Sequence, residues 1–159
     1  MLFEVIWMET KDMIAQLRAR QGMTQEELAQ KVFVTRQAVS RWESGETTPN
    51  TETLKQLSKL FDVSINTLLG SPRQLICQCC GMPLEDASIS REPDGSFNEA
   101  YCRWCYTDGK FVYTNLGQLI DFLSDHMATE QRPGAQVRAY LEEQLPKLDH
   151  WSGKAGREK

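Results

Sequence analysis

The chain has 159 residues, of which 40% are hydrophobic and 25% charged, a composition typical of a folded globular protein. No apolar run approaches the ~20 residues that cross a bilayer, and residues 1–7 make a poor signal peptide, so we expect a cytoplasmic protein. The formal net charge of −4 at first argues against a nucleic-acid partner. DNA contact depends more on where the cations lie than on their sum, so the charge does not exclude it.

Five short helices are predicted between residues 10 and 70, each with apolar residues at helical spacing on one face. Thr24 and Glu27 have the spacing of a capping box, in which each side chain bonds a free backbone N–H at the start of the second helix. Three further helix starts follow from the same chemistry, at Thr35, at Pro49-Asn50 and at Ser64. The segment is therefore predicted to be a compact all-α domain.

The third predicted helix, residues 36–43, has two chemically different faces. At about 100° per residue, polar side chains fall on one arc and apolar ones on the other. Guanidinium and amide groups can bond bidentately to guanine and adenine edges in a major groove. Any surface helix also has a polar face, so this helix alone leaves a merely solvated surface equally open. The polar arc holds Arg36, Gln37, Ser40 and Arg41, and the apolar arc holds Ala38, Val39 and Trp42.

The order of a short capped helix, a tight turn and this helix is that of a helix-turn-helix. Residues 13–69 resemble the Cro/repressor-type family of these domains, also called the xenobiotic-response-element type. The matching stretches are Gly22-Met23-Thr24-Gln25-Glu26-Glu27-Leu28-Ala29, Val34-Thr35-Arg36-Gln37-Ala38-Val39-Ser40-Arg41-Trp42-Glu43-Ser44-Gly45, and Pro49.

The resemblance implies roles for individual side chains. Base reading is expected from Arg36, Gln37 and Arg41, with Ser40 near the groove. Phosphate contacts are expected from Gln25 and Thr35, at the starts of two helices. Trp42 is expected in the core, and Glu43 is expected to orient Arg41 or Arg36 or to be solvated. The chain departs from the family at Phe33, where a Gly or Asn often occupies the turn.

Five cysteines lie in two tight groups. An odd number in this arrangement on a cytosolic chain favours metal binding over disulfides. Cys77 and Cys80, with Cys102 and Cys105, form two C-x2-C pairs that predict a four-thiolate structural site for one zinc ion per chain. Cys79 is expected to be an unliganded thiol, with its exchange for one of the ligands as the alternative. A redox role for the pairs lacks its usual βαβ context.

Residues 77–111 also resemble a zinc-ribbon family, through Gly81-Met82-Pro83-Leu84, Asp94-Gly95 and Tyr101–Tyr106. That resemblance implies a fold and a metal but little mechanism. Asp94-Gly95 and Asp108-Gly109 predict hairpin turns. Two helices are predicted after the ribbon, with Leu119, Ile120, Leu123 and Met127 on the apolar face of one and Val137, Tyr140, Leu141 and Leu145 on that of the other. His126 and His150 are expected to be ordinary helix or tail residues.

The predicted fold class is mainly α. A five-helix, lambda-repressor-like helix-turn-helix domain spans 8–70, a linker spans 71–76, a zinc ribbon with short hairpins and C-terminal helices spans 77–150, and a disordered tail spans 151–159. The predicted function is a sequence-specific transcriptional regulator that binds double-stranded DNA as a homodimer, since such domains usually act in pairs. Two alternatives remain: a thiol- or metal-responsive sensor, and an adaptor that recruits a protein partner through the ribbon. No catalytic set of residues favours an enzyme.

Overall fold

The computed structural model describes residues 8–153, which divide into two compact units. One unit extends to Gln74 and includes residues 94–97; the other holds residues 75–93 and those from 98 onward. Residues 1–7 and residues 154–159 of the predicted tail lie outside the described part of the chain. Within residues 8–153, no helix is long and apolar enough to cross a membrane.

The first unit has the five predicted helices, and its caps confirm the local reading of the sequence. The Thr24–Glu27 capping box is complete, and Thr35, Asn50 and Ser64 each accept a hydrogen bond from the backbone N–H three residues on. These bonds satisfy N–H groups that have no partner inside the helix. The helices are α1 (Thr10–Arg20), α2 (Gln25–Lys31), α3 (Arg36–Ser44), α4 (Thr51–Phe61) and α5 (Ile65–Leu68).

The core of this unit collects the apolar face of every helix. Because α3 is only nine residues long, its position depends on the side chains that it buries here rather than on its own helical stability. Trp42 lies in this core at 6% exposure, as predicted. The buried members are Ile14, Leu17, Leu28, Ala29, Val32, Val39, Trp42, Leu57, Phe61 and Leu68.

From residue 75 onward, the described chain forms two short hairpins and then two helices. The hairpin turns fall at the two predicted Asp-Gly pairs, and Asp108 and Gly109 both have positive φ, as a type I′ turn requires. The elements are β1 (Ile89–Arg91), β2 (Phe97–Cys102), β3 (Tyr106–Thr107), β4 (Lys110–Phe111), α6 (Leu116–Met127), α7 (Gly134–Gln144) and a 3-10 helix (Leu145–Lys147). Mainly helical architecture with a small four-cysteine ribbon is thus the observed fold class.

Two details of the second unit differ from the sequence prediction. Met127 and Tyr140 are 42% and 57% exposed, whereas Ser124 is buried and bonds the carbonyl of Ile120. The buried face of α6 therefore includes a small polar residue that periodicity in hydrophobicity does not detect. Trp151, which the prediction placed in the tail that starts at residue 151, is half-buried, and its indole N–H bonds the Cys79 carbonyl.

The turn between α2 and α3 has an unusual backbone conformation for its residue type. Phe33 has φ of 56°, in the left-handed region, and its side chain is 87% exposed. A Cβ atom in this conformation is crowded by its own backbone, and the exposed ring gains little packing in return. The turn thus keeps a conformation suited to Gly or Asn, although the residue there is Phe.

Replacing Phe33 with Asn should therefore stabilise the protein. Asn tolerates the left-handed region better, so we expect the free energy of unfolding to rise by about 0.5–1 kcal/mol. Urea unfolding followed by helical circular dichroism measures the change. Leu69→Asn is the matched control, since Leu69 is also an exposed apolar residue but has φ of −82°. A Phe33→Asn variant less stable than wild type would contradict the strain argument.

Candidate DNA-reading surface and metal centre

The polar arc of α3 forms one exposed surface of the first unit. Arg36, Gln37, Ser40 and Arg41 are all exposed and together line a shallow, open depression. On the opposite side of the helix, Val39 is fully buried. The structure thus brings together the four predicted base-reading residues, on a helix whose back is fixed by packing. We call this set of four side chains the reading surface.

Glu43 joins α3 to the two preceding helices. Its carboxylate accepts hydrogen bonds from Arg18 Nε at 2.6 Å and Nη2 at 3.0 Å, and from Gln25 Nε2 at 2.8 Å. Arg18 Nη1 also donates to the Met23 carbonyl at 2.7 Å. The bidentate guanidinium contact fixes both position and angle, as a single point charge would not. The expectation that Glu43 orients Arg41 or Arg36 is wrong; it orients α3 itself.

Burial and hydrogen bonding act in opposite directions on the pKa of Glu43. Desolvation favours the neutral acid, but hydrogen bonds from Arg18 and Gln25, with the Arg18 charge, outweigh it and lower the pKa. The pKa of Arg18 is raised, chiefly by its hydrogen bond to Glu43. Both shifts keep the pair ionised at neutral pH, so the link between α1 and α3 is a charged one.

The two predicted phosphate-contacting residues have structural duties in this chain. Gln25 is half-buried with its amide engaged by Glu43, and the Thr35 hydroxyl accepts from Ala38 N at 3.2 Å. Both stand at helix starts, where backbone N–H groups point outward and favour anions. Their contribution to a phosphate site would thus come from the N–H groups that they position.

Glu46 is a residue of this surface that the sequence prediction missed. It lines the same depression as the reading surface, and one of its carboxylate oxygens lies 3.7 Å from Arg41 Nε. Its backbone N–H bonds the Arg41 carbonyl across the left-handed Gly45 that ends α3. A helix end at Gly45 could be predicted from the sequence. The residue after such a glycine folds back beside the last helical turn, which places Glu46 near Arg41.

In the second unit, four of the five free thiols converge. The sulfur atoms of Cys77, Cys80, Cys102 and Cys105 all lie within 4.8 Å of one another. The Gly81 N–H bonds the Cys77 carbonyl at 2.8 Å, with Gly81 at φ of 76°, and this closes the first C-x2-C turn. The Cys102 N–H points at Cys77 Sγ, at 3.3 Å, and joins the two pairs.

This arrangement fits a zinc ion. Zn–S bonds of about 2.3 Å in a tetrahedron require sulfurs about 3.8 Å apart, and Cys80 Sγ lies 3.8 Å from Cys102 Sγ. Hydrogen bonding among the sulfurs lowers the pKa of Cys77, first through Cys102, and raises the pKa of Cys105, again first through Cys102. Four thiolates together carry a large negative charge, which a bound zinc ion would balance.

The remaining cysteine and the two histidines lie outside this group. Cys79 is fully buried but is not among the four clustered sulfurs. His126 stacks on Phe122 at the end of α6 with 3.9 Å between ring centroids, while His150 packs against Phe111. Four thiolates around one ion would leave no open position for water or substrate.

Comparison with known families agrees with this two-part organisation. Residues 14–68 match the family described as "Helix-turn-helix", and residues 76–152 match the family described as "Putative zinc ribbon domain". The chain therefore contains a helix-turn-helix domain of the Cro/repressor type, followed by a zinc ribbon domain. Together the two matched ranges include α1 to α7 apart from the first turn of α1.

Individual proteins that are similar to parts of this chain are themselves described as transcription regulators. The HTH-type transcriptional activator BcrR of Enterococcus faecalis is 48% identical over 62 residues, which are 39% of this chain and 30% of the activator. The chain thus matches less than a third of that relative's length. The P22 c2 repressor in complex with a synthetic operator is 35% identical over 39% of this chain and 94% of its own, with a TM-score of 0.38. A transcriptional regulator from Listeria innocua is 18% identical, covers 85% of this chain and 91% of its own, and has a TM-score of 0.40.

Removing either partner of the Arg18–Glu43 pair should destabilise the first unit. The side chains are 20% and 10% exposed, so Arg18→Met or Glu43→Gln should each cost about 1–3 kcal/mol. The double variant should cost less than the sum, because it leaves no uncompensated charge. Urea unfolding of the four proteins measures the coupling, and fully additive costs would contradict it.

The same pair predicts a pH dependence with a definite sign. Because folding lowers the pKa of Glu43, its stabilising contribution is complete above the unfolded value of about 4.3 and is lost as pH falls through the folded value. The stability difference between wild type and Glu43→Gln should therefore be constant from pH 7 to 5 and shrink below about pH 4. A difference that grows on acidification would show that the sign is wrong.

Proposed function

We propose that the protein is a sequence-specific transcriptional regulator that reads a DNA major groove with α3 and acts as a homodimer, with a structural zinc ribbon in its second half. The observation that carries this proposal is the reading surface, with two guanidiniums and one amide exposed on a helix fixed from behind. These groups match the hydrogen-bonding edges of guanine and adenine. A merely solvated helix face would not require the Glu43 carboxylate that ties this helix to its neighbours.

The fixed position of α3 supports base reading for an energetic reason. Direct readout discriminates bases only if the side chains arrive at defined positions in the groove. Glu43 supplies that definition, since its carboxylate lies outside the reading surface and ties α3 to both α1 and α2. Phosphate contacts by the N-termini of α2 and α3 would then set the depth and angle of approach.

The charge of the first unit favours DNA binding by two copies of this domain over binding by one. The first 70 residues carry eight Lys and Arg against nine Asp and Glu, and Glu46 adds a carboxylate beside Arg41. A single copy would gain little from phosphate neutralisation, which supplies most non-specific DNA affinity. Two linked copies of the domain, each on one of two neighbouring half-sites, would restore the affinity for the specific site through effective concentration. The affinity for random DNA would stay low.

The zinc ion would hold the ribbon together, with Cys77, Cys80, Cys102 and Cys105 as ligands. The hairpins are short, with strands of two to six residues, and such a segment buries little apolar surface without a metal. A bound zinc would supply folding free energy and no reaction. A second role, as an adaptor for another protein, is favoured by Trp104, which is 56% exposed between two ligands with Arg103 stacked 5.6 Å from its ring centroid.

The zinc assignment is tested by removing neighbouring cysteines. Purified protein and the Cys79→Ala variant should each hold about one zinc per chain, whereas Cys80→Ala should lose the metal together with most strand and helix protection in the second unit. Elemental analysis and hydrogen exchange measure both effects. Equal zinc loss in the two variants would contradict the ligand set, and a metal-free protein with reversible disulfides would contradict a structural metal.

The reading surface is tested by Arg41→Ala against DNA sites selected from a random pool. Loss of a base contact should cost about 1–3 kcal/mol at the selected site and relax the preference at one position of it. Gel-shift titrations measure the affinity. Lys55→Ala is the control, because Lys55 is an exposed cation on α4 paired with Glu52. If Arg41→Ala binds every site as wild type does, α3 does not read bases in this way.

A further inference from the structure

The end of the described chain folds back on the first cysteine pair. The residues between Cys77 and Cys80 are Gln78 and Cys79, and both accept hydrogen bonds from this end. The Asp149 N–H donates to Gln78 Oε1 and the His150 N–H to the Gln78 carbonyl, each at 3.2 Å. Trp151 Nε1 donates to the Cys79 carbonyl at 2.8 Å. The spacer residues of one zinc half-site are thus tied to a segment seventy residues later.

Aromatic packing holds the same segment against the second pair. The His150 ring lies 4.3 Å from Phe111 and 5.9 Å from Tyr101 between centroids, and Tyr101 directly precedes Cys102. His150 Nε2 lies 3.2 Å from the Tyr113 carbonyl, an acceptor, so this nitrogen carries the proton. Trp151 packs edge-on against His150 at 4.4 Å. The segment is therefore anchored on both sides of the cysteine cluster.

The two half-sites are covered unequally. Gln78 and Cys79 are held by the returning segment, whereas Arg103 and Trp104, between the second pair, are exposed. Release of a four-coordinate metal begins with the loss of one ligand, which requires its turn to move. A turn whose spacer carbonyls are hydrogen-bonded from outside resists that movement, since leaving such groups without partners carries a cost.

We propose that residues 148–152 form a C-terminal latch that holds the Cys77–Gly81 turn closed and sets the rate at which zinc leaves the ribbon. The latch supplies no ligand and acts as a positioning element through Gln78 and Cys79. It also couples the metal centre to α7, since the latch directly follows that helix and its 3-10 extension. The inference rests on the zinc site proposed above.

The test measures how fast zinc passes from the full-length, zinc-loaded proteins to an excess of the chromogenic chelator 4-(2-pyridylazo)resorcinol. Trp151→Phe keeps an aromatic ring but loses the N–H, and release should become about fivefold faster, as expected for one lost hydrogen bond. Trp151→Ala also loses the packing and should release faster still. Tyr140→Ala, which removes an exposed aromatic residue from α7, should release zinc as wild type does.

A second readout separates the latch from general destabilisation. In Trp151→Phe, amide exchange should accelerate at residues 78–81 but not in α6, and the cobalt-substituted protein should keep its four-thiolate spectrum. Wild-type release rates in both Trp151 variants would overturn the proposal, and so would equal loss of protection in α6 and in the turn. Wild-type protein that holds no zinc would instead contradict the zinc site itself, which distinguishes the two failures.

Discussion

Three helices of the first unit meet at one carboxylate. Glu43 in α3 receives two hydrogen bonds from Arg18 in α1 and one from Gln25 in α2. Apolar packing alone fixes how deeply a short helix is buried, but it constrains rotation and sliding weakly because dispersion contacts have little direction. The directional bonds to Glu43 remove that freedom. The base-reading role proposed for Arg36, Gln37, Ser40 and Arg41 depends on this constraint, since their positions follow from the pose of α3.

The features of the fold that were predictable from sequence are local ones. A capping box needs only residues three apart, and a polar arc needs only the helical repeat. Thr24, Thr35 and the polar arc of α3 could therefore be recognised in the sequence. The four clustered cysteines were recognisable for a related reason, because metal geometry restricts ligand spacing. In each case the pattern depends on residues that lie close together in the sequence.

The features that were missed depend on contacts between distant segments. Glu43 lies twenty-five residues from Arg18, and nothing in the spacing selects that partner over the nearer Arg41. Trp151 lies seventy-two residues from Cys79, and by composition it stood at the edge of a charged tail. Phe33 shows a different limit: the family often has Gly or Asn in this turn, and the turn of this chain has a left-handed residue although that residue is Phe.

Each of the two units is small, and they are stabilised by different physical means. The first buries a continuous apolar core and adds the Arg18–Glu43 pair, whereas the second brings four sulfurs together and folds residues 149–151 back on the first cysteine pair. Under the proposed function, the first unit supplies the preference for a DNA sequence, and the second unit supplies the setting in which two copies of the first unit act. Metal occupancy and the latch would then affect the second contribution without altering the reading surface.

The most direct measurement of the central proposal is unbiased selection of bound sequences from random double-stranded DNA with the full-length protein. The account predicts an enriched, two-fold symmetric site whose half-sites are about 10 base pairs apart, one helical turn, or a multiple of that distance. Guanine or adenine should be fixed at positions within reach of Arg36, Gln37 and Arg41. A pool without enrichment after selection, or one enriched equally by an Arg36→Ala, Gln37→Ala, Arg41→Ala triple variant, would contradict it.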